Sequence, residues 1–191
     1  MRLTCGVEHM LVFASIIVGV AVTDQMVSLN RLLRARHRVA WDWTVPAVAL
    51  LALLTVVQIW WSVAQPSAGR ITIGQFLPTL VELILLFLLC AATLPDEVPA
   101  EGLSLRDYYD AQSPYVWTLF AAALAWTFVV GQVEVAAAGQ WSLGELIDRG
   151  VDLIVFGVMV SLIFVRRRWW HAIAMLALAS GPIGWLSRSL G

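Results

Sequence analysis

The chain has 191 residues, of which 60% are hydrophobic and 13% charged, with a mean hydropathy of +0.82 and a net charge of −1. A soluble domain carries roughly twice that share of charge. Water is therefore excluded as the solvent for most of this surface, and the chain reads as an integral membrane protein.

Six apolar runs follow one another, each close to the length a bilayer core requires. The first covers about 10–30. Arg2 ahead of it and "VAVTD" within it resemble a signal peptide, but Glu8 and His9 interrupt the approach and the helical pattern continues past Asp24 to Leu33, so it reads as a retained span. It carries Ser15, Gly19 and Thr23 at four-residue spacing, a stripe that lets another helix approach closely. The expectation is tight packing within the chain, with a homo-oligomer seam as the alternative. Span two, about 44–63, places Thr55, Gln58 and Ser62 on one face. Span three, about 72–94, carries Gln75 and Glu82, and Pro78 removes a backbone hydrogen bond to Gly74. The stretch Gly102–Trp117 reads as a short interfacial helix capped by Ser104, after which Pro114 restarts the chain into span four, about 115–134. Span five, about 147–165, begins with Glu145, Arg149 and Asp152 on one face, where Arg149 can pair with either acid. Span six, about 169–187, is broken near its end by "SGPIGW".

Arginine sets the orientation. All twelve basic residues are arginine, and seven of them gather in two loops: Arg31, Arg34, Arg36 and Arg38 after span one, and Arg166, Arg167 and Arg168 after span five. Both loops fall on one side, which the positive-inside rule makes cytoplasmic, with both termini outside. Tryptophan agrees. Trp41, Trp43, Trp117, Trp169 and Trp170 fall at the inner boundary, and Trp60, Trp61, Trp141 and Trp185 at the outer one; Trp126 alone is mid-span. The expected fold is thus all-α: one polytopic domain over 1–191 with six transmembrane helices in a bacterial inner membrane.

The intramembrane acids carry the functional argument. Asp24 lies about 10 Å from the inner boundary, Glu82 lies near mid-membrane, and Asp152 lies about 21 Å outward of Arg166. An ionised carboxylate at mid-bilayer costs about 3 kcal/mol on insertion scales. Such a group faces the bundle interior, is protonated or has a partner. Burial favours the protonated form, which suits Glu82 to take up and release a proton. The bland reading is that these side chains only hydrogen-bond between helices.

Other chemistry finds little footing. Cys5 and Cys90 form no redox or zinc spacing. His9, His37 and His171 raise haem or metal, yet no helix pair gives ligand spacing. No nucleophile motif, P-loop or dinucleotide fingerprint is present. No cofactor, metal site, catalytic residue or nucleic-acid partner is implied. The seven loop arginines fit anionic lipid head groups at about 1 kcal/mol each, and the inner face leaves room for a protein partner.

The segments "GVAVTDQMVSLNRLLRARHRVAWDW", "VVQIWWSVAQ" and "LPDE…LSLRDYYDAQSPYVW" resemble a pattern of small bacterial multi-pass membrane proteins that has no established activity. The resemblance covers spans one to four. It implies that Asp24 and the region Asp107–Tyr109 belong to one inner-face constellation. The leading expectation is a small cation or proton channel or transporter, with Glu82, Asp24, Asp152, Gln75 and Gln58 along its pathway. The alternatives are a non-catalytic subunit, scaffold or sensor, and a lipid-modifying membrane enzyme.

Overall fold

The computed structural model describes residues 5–64, 73–138 and 143–186. Six α-helices are connected in sequence: α1 (Cys5–Arg34), α2 (Thr44–Ala64), α3 (Ile73–Thr93), α4 (Leu105–Ala138), α5 (Leu143–Phe164) and α6 (Arg168–Leu186). Among the described residues, four stretches are long and apolar enough to cross a membrane: Met10–Arg34, Thr44–Val63, Phe76–Thr93 and Leu105–Val133. Gly150–Phe164 of α5 is a shorter apolar stretch. The protein is a helical membrane protein by these lengths and compositions.

Helix ends follow local chemistry. α1 continues to Arg34 because Leu32 is buried, and Arg31 and Arg34 place cations against the negative end of the helix dipole. A single 3-10 turn, Arg36–Arg38, then leads to α2. The first N–H of α2, that of Thr44, donates to the Asp42 carboxylate at 3.0 Å, and the Thr44 hydroxyl donates to the same oxygen. This satisfies donors that a helix start otherwise leaves open. Ser104 caps α4 as expected, accepting from the Asp107 N–H at 3.3 Å.

Two expectations need correction. There is no separate interfacial helix before span four, because α4 runs unbroken for 34 residues through Pro114. Tyr109, Ser113, Val116 and Trp117 are all buried across the proline, so packing holds the helix together where one backbone bond is lost. The small stripe of α1 lies on its exposed side, where Ser15 accepts from the Trp60 indole of α2 at 3.1 Å. Ser15, Gly19 and Thr23 are exposed, and a Cβ added at Gly19 would meet nothing within 4 Å. α1 instead buries Ala14, Ala21, Gln25, Ser28 and Leu32. Gly19 therefore provides no close approach inside the chain.

α1 packs on α3 and α2, α3 on α4, α4 on α5, and α2 on α6. Val48, Ala52, Val56, Leu86, Leu89 and Phe120 form the central core. At one end, the strand β1 (Val39–Ala40) pairs in parallel with β2 (Leu103–Ser104) and straps the loop after α1 to the loop after α3. Gly102, just before β2, has φ +103°, and a Cβ there would sit 2.9 Å from the Arg38 carbonyl oxygen. Only glycine fits this turn without strain.

Candidate functional site

A cavity of about 420 Å³ opens among α2, α3, α4, α5 and α6. Its wall is mostly apolar, with Leu51, Leu86, Phe120 and Met159 among its residues. Against that background it gathers Thr55, Gln58, Glu82, Thr127 and Asp152. Three of the residues expected along an ion pathway thus share one interior space: Glu82, Asp152 and Gln58.

Glu82 is half-buried, and the Thr127 hydroxyl lies 2.7 Å from its Oε1. The same hydroxyl lies 3.0 Å from the Ala123 carbonyl. Thr127 has one proton and two acceptors. A protonated Glu82 resolves this: its O–H donates to the Thr127 oxygen, and Thr127 donates to Ala123. An ionised Glu82 takes the Thr127 proton for itself. The geometry accommodates both protonation states of one carboxyl group. Nearby, the Trp126 indole donates to the Pro78 carbonyl at 2.8 Å, so the mid-span tryptophan holds α4 to α3 at the proline.

Asp24 is not part of this cavity, whose described lining takes nothing from α1. Asp24 is half-buried and lies close enough to Cys90 to act on it electrostatically. α1 packs on α2 and α3, so Asp24 is not brought together with Glu82, Asp152 and Gln58 around this cavity. The neighbouring residue does the packing. Gln25, 1% exposed, donates from Nε2 to the Ala49 carbonyl at 2.7 Å and to the Thr93 hydroxyl at 3.2 Å. It joins α1, α2 and α3. The side chains of Gln75, Glu145 and Arg149 lie outside the described residues.

The second polar concentration lies at the arginine-bearing end. His171 of α6 is 2% exposed. Its Nε2 lies 2.7 Å from the Val165 carbonyl, which only accepts, so Nε2 carries the proton. Nδ1 then accepts from the Tyr109 hydroxyl at 2.7 Å, and that hydroxyl accepts from the Trp117 indole at 3.1 Å. From Trp117 through Tyr109 and His171 to Val165, each side-chain polar atom of this series has a partner. This occupies both nitrogens of His171. Arg168 binds Asp42 at 2.8 Å and faces Asp110 at 3.4 Å. Burial opposes ionisation of Asp42. Hydrogen bonds from the Thr44 hydroxyl and amide, and from the Arg168 guanidinium, outweigh it, and the Asp42 pKa lies below its usual value.

This arrangement revises the arginine assignments. Arg34, Arg36, Arg38, Arg166 and Arg167 are exposed. Arg31 also gives a hydrogen bond to the Asp96 carbonyl at 2.8 Å. Arg168 is committed to protein carboxylates instead. The constellation at the arginine-bearing end centres on Asp42, Tyr109, Asp110, Arg168 and His171, and Asp24 and Asp107 are not among its members. Sequence reading missed Gln25, Thr127 and Asp42 as partners, and named Tyr109 only within the region Asp107–Tyr109. Of the three that were missed, Asp42 alone left a trace, standing two residues before a helix that opens with threonine.

Among the described residues, no group of three or more histidine, cysteine, aspartate or glutamate side chains could hold a metal ion. Compared with models of known families, with curated proteins and with solved structures, the chain matches none.

Proposed function

We propose that the protein is a small proton or cation channel or transporter of the bacterial inner membrane, with six membrane-crossing helices and both termini outside. The observation that carries this reading is Glu82 sharing a central cavity with Asp152 and Gln58, with a hydroxyl that serves either protonation state. Glu82 is half-buried and makes no ion pair among the described residues, and an ionisable group so placed in a membrane is expensive to keep and marks ion or proton pathways. The arginine-rich loops support the orientation. The Arg168–Asp42 ion pair and the β1–β2 strap bring the loops after α1, α3 and α5 to one end, which the positive-inside rule makes cytoplasmic.

The test is flux. Liposomes holding the purified protein are given a proton or potassium gradient, and wild type is compared with Glu82→Gln. Flux in wild type that is lost in the variant supports the pathway. No flux under either gradient would sink the reading and leave the cavity acids as contacts between helices.

A further inference from the structure

A second cavity, of about 280 Å³, lies at the arginine-bearing end between the start of α4 and the start of α6. Three guanidinium groups line it: Arg106 of α4, Arg166 of the loop after α5, and Arg168 of α6. One carboxylate, Asp110, lines it with them, held by Arg168 at 3.4 Å. Ser113, itself 5% exposed, turns onto the same space, and no hydrogen bond within the described residues uses its hydroxyl. His171 also lines the cavity, and its hydrogen bonds suit the neutral imidazole. The fixed charge around the cavity is therefore three arginines against one carboxylate.

Two of these arginines are uncommitted. Among the described residues, ion pairs use Arg168 but neither Arg106 nor Arg166. They come from different elements, so topology alone does not require them to meet. The space has the volume of about nine liquid waters at roughly 30 Å³ each, enough for a hydrated oxyanion. Guanidinium forks match the paired oxygens of a phosphate, and a neutral hydroxyl beside them adds a donor. Basic recesses at the cytoplasmic ends of helices take lipid phosphates in the same way.

We infer that this cavity is a binding site for a phosphate group, held by Arg106 and Arg166 with Ser113 as a further donor and Arg168 fixing the rim. The inference stands apart from the transport reading, because none of these residues lines the central cavity. The phosphate belongs to a lipid head group or to a soluble phosphate, and the two are separated by the probe used.

The experiment follows the melting of the purified full-length protein in detergent. One series adds inorganic phosphate against chloride at equal ionic strength. The other adds phosphatidylglycerol against phosphatidylcholine in mixed micelles. Wild type should melt higher with a phosphate-bearing anion. A shift with inorganic phosphate assigns a soluble ligand, and a shift with phosphatidylglycerol alone assigns a head group. In Arg106→Gln and in Arg166→Gln, the concentration giving half the shift should rise about tenfold or more. Arg167→Gln, which changes an exposed arginine outside the cavity, should respond to inorganic phosphate as wild type does. Arg166 lies exposed in a loop, so its variant carries the test if Arg106→Gln does not fold. The assignment fails if neither probe shifts wild type, or if Arg167→Gln weakens the response as much as Arg166→Gln does.

Discussion

The guanidinium of Arg168 lies 2.8 Å from a carboxylate oxygen of Asp42, so the first residue of α6 grips the loop that leads into α2. Asp42 is also bound by Thr44 at the start of α2, and Arg168 also faces Asp110 of α4. Three helices are tied through two side chains. Asp42→Asn should cost about 1–2 kcal/mol, the range for a partly buried charged hydrogen bond. The effect has a defined pH dependence. Folding lowers the Asp42 pKa, so its contribution is complete above the ordinary value of 3.8 and is lost as pH falls through the lower folded value. The gap in melting temperature between wild type and variant should hold steady from neutral pH to about pH 5 and narrow below about pH 4. A gap that instead narrows between pH 7 and pH 5 would point to another group.

The central cavity separates three carboxylates into two classes. Asp152→Asn should lower flux with Glu82→Gln, by on the order of tenfold if about 1.4 kcal/mol is lost at the barrier. Asp24→Asn should leave flux near the wild-type level, because Asp24 stands outside the cavity lining. Equal loss in all three variants would mean that the conducting path does not follow this cavity.

Gly102 faces both a positive φ and the Arg38 carbonyl. Gly102→Ala should destabilise the protein by about 1–3 kcal/mol, the usual size of a backbone strain of this kind. Thermal melting measures it directly. Gly19→Ala is the contrasting substitution, since a Cβ there meets nothing. A melting temperature unchanged at Gly102→Ala would show that β1 and β2 are not held as described.

Tyr109→Phe removes one hydroxyl that serves two partners. The His171 Nδ1 loses its donor and the Trp117 Nε1 loses its acceptor, both in buried positions. A loss of about 1–3 kcal/mol is expected from stranding such groups. Tyr108→Phe is the matched comparison, because its hydroxyl makes a single bond, 3.2 Å to the Ala92 carbonyl. The prediction fails if the two variants melt alike.

The helices were legible because apolar runs of membrane length leave few alternatives. Ser104 as a cap was legible from spacing alone. Their faces were less so. Asp24 drew the eye as a charge, yet Gln25 is the buried residue; consecutive side chains on a helix point about 100° apart. The stripe Ala14, Ala21, Gln25, Ser28, Leu32 repeats at helical spacing and carries the true packing face. Small residues at Ser15, Gly19 and Thr23 gave an equally regular stripe on the exposed side, and spacing does not say which face has a neighbour. Continuity through Pro114 was illegible, because it depends on burial across the proline rather than on propensity. The pairings of Tyr109 with His171 and of Glu82 with Thr127 span 62 and 45 residues, and no local pattern announces contacts of that range.

The β1–β2 strap joins Val39 to Leu103 and Ala40 to Ser104. These partners are made far apart in time as well as in sequence. During synthesis the first loop must wait, its strand unpaired, until α2 and α3 have both been completed. Arg168 then reaches Asp42 only when α6 begins to emerge. The arginine-bearing end is thus fastened in two stages, the strap once Leu103 and Ser104 are made and the ion pair once Arg168 is made.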